Sequence, residues 1–377
     1  MVAFTSFDLS LTILLLIFNI HPRTVQLTFA WNFSDVGLSQ NVLIWRFTIW
    51  RNRAYLAVPR WDEKSKPQFT LLEAPWPETA QINRLQVGAI SSEIVPYPDA
   101  KSQEDGICED LQSITGIDTD SRGRLWVLDA PTLTKCKPKI VIYDLRRNEK
   151  VAETNLDGIS PRHLKCLVVD PVPGQWGTQA YVSDPGDENL IVYSLAQRSW
   201  WKLKLTKDES FFPKIFTTDL AVSRKSSILY FTGYQSDDLF GIDLEPLRNG
   251  GGFLNFLKND SSIGNSSVSW IGSKLGSSSG LFCDLREGLH YFMVTEMASV
   301  RWDSKEKLEA EGHSVIVQSE AVPCVTDYAF DSQKNVWAIA NERHPLRKGK
   351  GRTGYSKYNG KTKRRTVKVW KYNPFIF

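Results

Sequence analysis

The amino-acid sequence predicts an all-β protein that folds as a six-bladed β-propeller. A pattern of short apolar strands recurs six times with a period of roughly 50 residues, which is the length of one four-stranded propeller blade. Gly, Asp, Asn and Ser residues separate the strands, as in a series of hairpins. Aromatic residues make up 12% of the 377 residues and include 13 tryptophans, a composition that favours pleated sheet.

Each copy of the repeat has an apolar strand, a polar turn, a second apolar strand that ends in a polar residue, and a third strand. The five clear copies cover Ile117–Leu145, Leu167–Leu195, Leu220–Leu244, Gly280–Asp303 and Tyr328–Tyr372, and a weaker copy covers Phe47–Leu72. No long stretch has the 3.6-residue period of an amphipathic helix. We expect the residues around Trp31 to add a strand to the last blade, because closing the ring removes exposed sheet edges.

The amino terminus carries the apolar run Leu11–Ile20. Its length is about half of what a membrane-spanning helix needs, and it suits the core of a signal peptide. We therefore expect a signal peptide over residues 1–30, a single propeller domain over residues 31–377, and a secreted, extracellular protein. A buried amino-terminal strand is the alternative interpretation of the same run.

Two further features agree with export. Asn-X-Ser sequons occur at Asn32, Asn259 and Asn265, which are candidate glycosylation sites. In an oxidising compartment some of the cysteines would form disulfides, and their odd number leaves at least one unpaired. The spacing leaves the pairing open among Cys108, Cys136, Cys166, Cys283 and Cys324.

Residues 343–365 are rich in Arg, Lys and Gly and contain no acidic residue. We interpret this stretch as a solvated loop inserted in the last blade. It is either a site for an anionic partner or a plain hairpin tip. The formal net charge of the whole chain is only +4, so we expect no nucleic-acid partner, and we also expect no membrane partner and no cofactor.

In a propeller, the innermost strands begin and the second strands end on the same face of the disc. The repeat therefore places a ring of polar side chains at one mouth of the central channel, where carboxylates would suit a cationic small-molecule ligand. The candidate ligand-binding residues are Asp129, Asp184, Glu296, Thr326 and Asn341. The competing interpretation is that these side chains only satisfy hairpin turns. No metal ligands and no catalytic residues stand out.

Several segments resemble the insect yellow / major royal jelly protein family. The matching segments are Ser113–Asp129, Cys136–Leu145, Ala180–Asp184 and Val336–Asn341. One departure is Arg301-Trp-Asp303, where the family usually has Cys-Trp-Asn. This places the familiar disulfide set of the family in doubt for this chain.

The resemblance implies a six-bladed propeller and three possible functions. Salivary members of the yellow family bind biogenic amines at the channel mouth, with a Thr and an Asn that match Thr326 and Asn341. Our leading hypothesis is thus binding of an amine or a catechol-derived ligand, in pigmentation, cuticle or salivary biology. The alternatives are a dopachrome-converting tautomerase of melanin formation, and a structural or nutritive secreted protein without a ligand.

Overall fold

The computed structural model describes residues 28–33, 36–39, 42–76, 93–184, 188–207, 213–233, 236–250, 263–320, 322–341 and 363–370. Its elements in chain order are β1 (Thr28–Asn32), β2 (Arg46–Trp50), β3 (Arg53–Ala57), β4 (Leu71–Pro75), β5 (Val95–Pro96), β6 (Ile114–Thr119), β7 (Arg124–Asp129), β8 (Lys139–Asp144), β9 (Glu149–Asn155), β10 (Leu167–Val169), β11 (Gln179–Asp184), β12 (Asn189–Ser194), β13 (Ser199–Thr206), β14 (Asp219–Val222), β15 (Ile228–Thr232), β16 (Asp238–Asp243), α1 (Glu245–Arg248), β17 (Ile263–Ser267), β18 (Ser269–Ser273), β19 (Ser278–Cys283), β20 (Gly288–Met293), β21 (Ala298–Asp303), β22 (His313–Gln318), β23 (Cys324–Phe330), β24 (Val336–Asn341) and β25 (Lys363–Trp370).

Within these ranges the strands form five four-stranded sheets and one five-stranded sheet. Their strand orders are β2-β3-β4-β5, β6-β7-β8-β9, β10-β11-β12-β13-β17, β14-β15-β16-β18, β19-β20-β21-β22 and β23-β24-β25-β1. Neighbouring strands are antiparallel except for β13 and β17, which pair in parallel. Four-stranded antiparallel sheets of consecutive strands are the hairpin series that the repeat predicts.

The first strands of the six sheets, β2, β6, β10, β14, β19 and β23, contact one another in a closed ring. They line a central channel, and the later strands of each sheet lie progressively further out. Strand β1 pairs with β25, so the last sheet contains chain from both ends of the described sequence. The predicted all-β propeller and its closing strand near Trp31 are confirmed.

The core consists of apolar layers between adjacent sheets rather than one central cluster, because each strand buries side chains on both of its faces. At the closure, Trp76 packs edge-on against Trp337, with 5.1 Å between ring centroids, and at a tilt of 51° against Trp31, with 5.9 Å between ring centroids. All three rings are at least 97% buried. Burial of each ring contributes about 2–3 kcal/mol, so β1 is held to the ring by packing as well as by its pairing with β25.

In several sheets, a carboxylate just after the innermost strand is hydrogen-bonded to a side chain of the second strand. The indole N–H of Trp126 donates to Asp120 at 3.0 Å, and that of Trp337 donates to Asp331 at 2.9 Å. In another sheet, Asp284 also follows the innermost strand, and its Oδ2 lies 2.9 Å from Nε2 of His290, six residues later. These acids therefore hold the turn between the first two strands and are occupied within their own sheets.

Some of the sequence predictions lie outside the described residues. They are Asn259, most of the expected signal peptide (residues 1–27) and most of the basic stretch (residues 343–362), whereas its last three residues belong to β25. Strand β1 begins at Thr28, ahead of the expected cleavage point before Trp31. Among the described residues, no helix has the length and apolar character needed to cross a membrane.

Candidate functional site

We call the face on which the innermost strands begin the upper face, and the opposite one the lower face. On the upper face, Thr326 and Asn341 lie together, since the Asn341 amide donates to Thr326 Oγ1 at 3.0 Å. Both side chains also bind the main chain of Ile44. Thr326 Oγ1 and Asn341 Nδ2 donate to the Ile44 carbonyl, and Asn341 Oδ1 accepts from the Ile44 N–H at 3.0 Å. Their hydrogen-bonding groups therefore fasten the segment that enters β2.

Arg46, the first residue of β2, fills the upper end of the channel. Its guanidinium is 3% exposed and donates to Asp219 Oδ1 at 2.5 Å and to the Thr326 carbonyl at 2.9 Å. A second carboxylate, that of Asp327, lies 3.7 Å away. The arginine thus connects the sheets that begin with β2, β14 and β23, and the carbonyl of Lys165, two residues before β10, also accepts from it at 3.4 Å.

Above Arg46 the upper face carries a small aromatic cluster. Trp45 and Trp61 meet edge-on at 5.1 Å, and the Lys165 ammonium lies 4.3 Å from the Trp61 ring centroid. Burial lowers the pKa of Lys165 to about 8. The Arg46 guanidinium stacks on Trp45 at 4.5 Å from its ring centroid. The described part of this mouth therefore combines aromatic and cationic side chains with the Asp219 and Asp327 carboxylates that Arg46 contacts.

Asp129 and Glu296 have no hydrogen bond to Thr326 or Asn341 among the described residues. Asp129 is buried, and its two oxygens accept the main-chain N–H groups of Gln112 and Ser113 at 2.9 and 2.7 Å. Burial raises the pKa of Asp129 to about 6. Glu296 is exposed in the turn after β20, which ends at Met293. Asp184 ends β11 as predicted, but its side chain lies outside the described part of the chain.

Below Arg46 the channel widens into a cavity of about 380 Å³. It is within the range of volumes that small-molecule sites have. Its walls come from all six innermost strands and include Ile117, Ala221, Phe282 and Ala329. It opens on the lower face, among exposed side chains of the turns that follow these strands.

Two carboxyl groups whose pKa values are raised line this cavity. Burial raises the pKa of Asp327 to about 7, against the opposing effect of the Arg46 charge and of the Phe47 N–H, which donates to its Oδ2 at 2.9 Å. Burial also raises the pKa of Asp118 to about 6. Each group is thus partly protonated near neutral pH and can either donate or accept a hydrogen bond.

The cysteines divide into one disulfide and three buried thiols. Cys108 and Cys136 are bonded, whereas Cys166, Cys283 and Cys324 are free. Cys166 and Cys283 line the cavity, but burial raises the pKa of both thiols, that of Cys166 to about 12. Neither cavity thiol is therefore an activated nucleophile.

Sequence comparison identifies the family of the chain. The sequence model of the family described as "Major royal jelly protein" matches residues 112–371, which is more than half of the chain. The chain belongs to the major royal jelly protein family. The resemblance seen in the sequence is thereby confirmed.

Relatives within this family are distant. Protein yellow of Drosophila melanogaster is 23% identical over 329 residues, which cover 78% of this chain and 57% of the relative. The match therefore spans less than two thirds of the yellow protein. Major royal jelly protein 9 of Apis mellifera is 22% identical over 338 residues, covering 80% of this chain and 77% of the relative. Among solved structures, a luciferin-regenerating enzyme matches in fold alone, with a TM-score of 0.50 and 9% identity over 92% of this chain and 97% of that one.

In this member of the major royal jelly protein family, the structure explains why an arginine stands at position 301, where the family usually has a cysteine. Arg301 Nε donates to Asp284 Oδ2 at 2.6 Å, and His290 meets the same oxygen at 2.9 Å. An arginine at this position completes a buried cluster of three polar side chains. A cysteine here would leave Asp284 without its guanidinium partner.

Proposed function

We propose that this protein is a secreted, six-bladed propeller, one blade per sheet, that binds a small amine or catechol-derived ligand in its central channel. The observation that carries the proposal is the cavity of about 380 Å³ between Arg46 and the lower face. It combines the aromatic walls and the few polar groups that small-molecule sites use. A catechol ring would lie between apolar walls, with its hydroxyls within reach of carboxyl oxygens.

The cavity supports binding below Arg46 better than binding at Thr326 and Asn341. The polar groups of those two residues are engaged by Ile44, so a ligand there would first have to displace the Ile44 main chain. Displacement would leave a buried N–H and carbonyl without partners, which costs about 1–3 kcal/mol for each group.

Calorimetry with serotonin and with cationic, neutral and anionic catechols (dopamine, 3,4-dihydroxyphenylethanol and 3,4-dihydroxyphenylacetate) tests the proposal, using the wild-type protein and Ala329→Phe. Ala329 is 5% exposed and lines the cavity, so the added ring occupies the space that the ligand needs. We expect binding heat with the wild type and at least a tenfold weaker affinity for the variant. Val315→Phe is the matched control, because Val315 is 61% exposed on the outer strand β22. Equal affinity of both variants, or no heat with any of these ligands and folded wild-type protein, would refute channel binding and favour a structural or nutritive role.

Secretion is supported by the disulfide between Cys108 and Cys136, because disulfides persist in oxidising compartments. The sequon residue Asn265 is exposed on β17, as a glycosylated asparagine must be. Expression in insect cells, followed by mass spectrometry of the medium, tests the proposal. We expect a glycosylated chain that lacks the amino-terminal apolar run. Retention of the unprocessed chain inside the cells would contradict secretion.

A second candidate function is tautomerisation of dopachrome. Such an isomerisation needs one group that removes a proton and one that returns it, and these groups work best with pKa values near the working pH. Asp327 and Asp118 face one cavity with raised pKa values of about 7 and about 6. We expect dopachrome decay to be fastest between pH 6 and 7, where Asp118 is ionised to remove the proton and Asp327 is protonated to return one, and Asp327→Asn to abolish the acceleration. A rate equal to that of buffer alone would rule out the enzyme.

A further inference from the structure

The lower mouth of the channel is ringed by cations. Arg51, Arg224 and Lys334 stand in three different turns that follow the innermost strands β2, β14 and β23, and all three line the cavity. Each is exposed, and none has an ion-pair partner within 4 Å among the described residues. Arg51 lies over the Trp50 ring at 4.6 Å, which leaves its N–H groups available.

The carboxylates of the same face are engaged by hydrogen bonds, although Asp120 and Asp331 also line the cavity. Asp120 accepts from Arg124 and from the Trp126 indole, and Asp331 accepts from Asn335 and Trp337. Glu287 is likewise held by hydroxyl groups, those of Ser223 and Ser226. These acids are therefore held within the sheets, whereas Arg51, Arg224 and Lys334 are exposed at the entrance.

The cations are also close enough to affect one another. Partial burial and the neighbouring Arg224 charge lower the pKa of Lys334, and the Asp331 charge opposes them. Arg224 acts deeper in the channel as well, where its charge opposes the effect of burial on Asp118. Cations crowded in this way and lacking partners gain from an added negative charge between them.

We infer that the channel selects a negatively charged ligand, a small aromatic carboxylate whose ring enters the cavity while its carboxylate stays at the mouth with Arg51, Arg224 and Lys334. The inference rests on the proposed channel binding and specifies the charge of the ligand. The aromatic body is favoured by the cavity walls, where Phe282 and Phe330 meet edge-on at 4.7 Å. A cationic amine would have to pass the same three cations.

Three catechols of matched size test the inference by calorimetry: 3,4-dihydroxyphenylacetate (anionic), 3,4-dihydroxyphenylethanol (neutral) and dopamine (cationic). We expect the anion to bind at least tenfold more tightly than the neutral compound, with dopamine the weakest. Its advantage should shrink as NaCl rises from 50 to 300 mM, because salt screens exposed charges.

Variants separate the two proposals. Arg224→Gln and Lys334→Gln should each weaken binding of the anion about three- to tenfold and leave the neutral compound unchanged, and Arg122→Gln is the control. Arg122 is an exposed cation on the same face that does not line the cavity. If the neutral compound binds but dopamine is preferred, or if the glutamine variants weaken all three ligands alike, the charge inference is wrong and channel binding stands. If none of the three binds, both fail.

Discussion

Replacing Arg46 with methionine should cost the propeller much of its stability at neutral pH. The guanidinium is buried against Asp219 and Asp327 and donates to carbonyls of neighbouring sheets. Removing one partner of a buried ion pair leaves an uncompensated buried charge, which typically costs about 3–5 kcal/mol. A chain of 377 residues has an unfolding entropy of about 0.8 kcal/mol/K near its Tm, so the loss corresponds to about 4–6 °C.

The loss should depend on pH. Burial raises the pKa of Asp327 to about 7, and the Arg46 charge opposes that rise. Without Arg46 the carboxyl is protonated over a wider range, so the penalty of the variant is largest above pH 7 and shrinks as the pH falls. Differential scanning fluorimetry at pH 8 and pH 5.5 measures both effects. Arg51→Met, at an exposed site, is the control. A Tm change under 1 °C at pH 8, or the same change at both pH values, would refute the reasoning.

Two further predictions concern the disulfide and the Asp284 cluster. Cys108→Ser opens a loop with a sequence separation of 28, so we expect a loss of about 3–4 kcal/mol in urea denaturation that Cys324→Ser, at a free thiol, does not reproduce. Burial of Asp284 opposes its ionisation, but hydrogen bonds from His290 and Arg301 outweigh this and hold its pKa below the usual range. The stabilisation is therefore complete above about pH 5 and disappears as the pH falls through and below 4. Arg301→Cys should be less stable at pH 7 and lose less on acidification to pH 3; a parallel acid profile would contradict this role of the ion pair.

The fold was predictable because its cause is local. Each strand carries its own apolar pattern and each turn its own Asp or Gly, so each sheet can be predicted from its own segment of the sequence. The ends of β7, β11 and β24 fall at Asp129, Asp184 and Asn341, as the repeat predicts.

The site was harder to predict because its contacts are not local. Thr326 and Asn341 meet Ile44 across 282 and 297 positions of sequence, and nothing in their own segments predicts that partner. Arg46 stands at the start of a strand in the weakest copy of the repeat, where no motif identifies it as the group that fills the channel. The exposed cations of the lower turns had a visible signal, since a basic residue follows the innermost strand in several copies. These basic residues indicate an anion site only when the hydrogen bonds that hold the nearby acids within the sheets are known.

The most direct test of the account is a crystal structure of the protein soaked with 3,4-dihydroxyphenylacetate. We expect ligand density in the channel below Arg46, with the ring between the innermost strands and the carboxylate near Arg224 and Lys334. Density at Thr326 and Asn341, with the Ile44 main chain displaced, would contradict the account and place the site on the upper face.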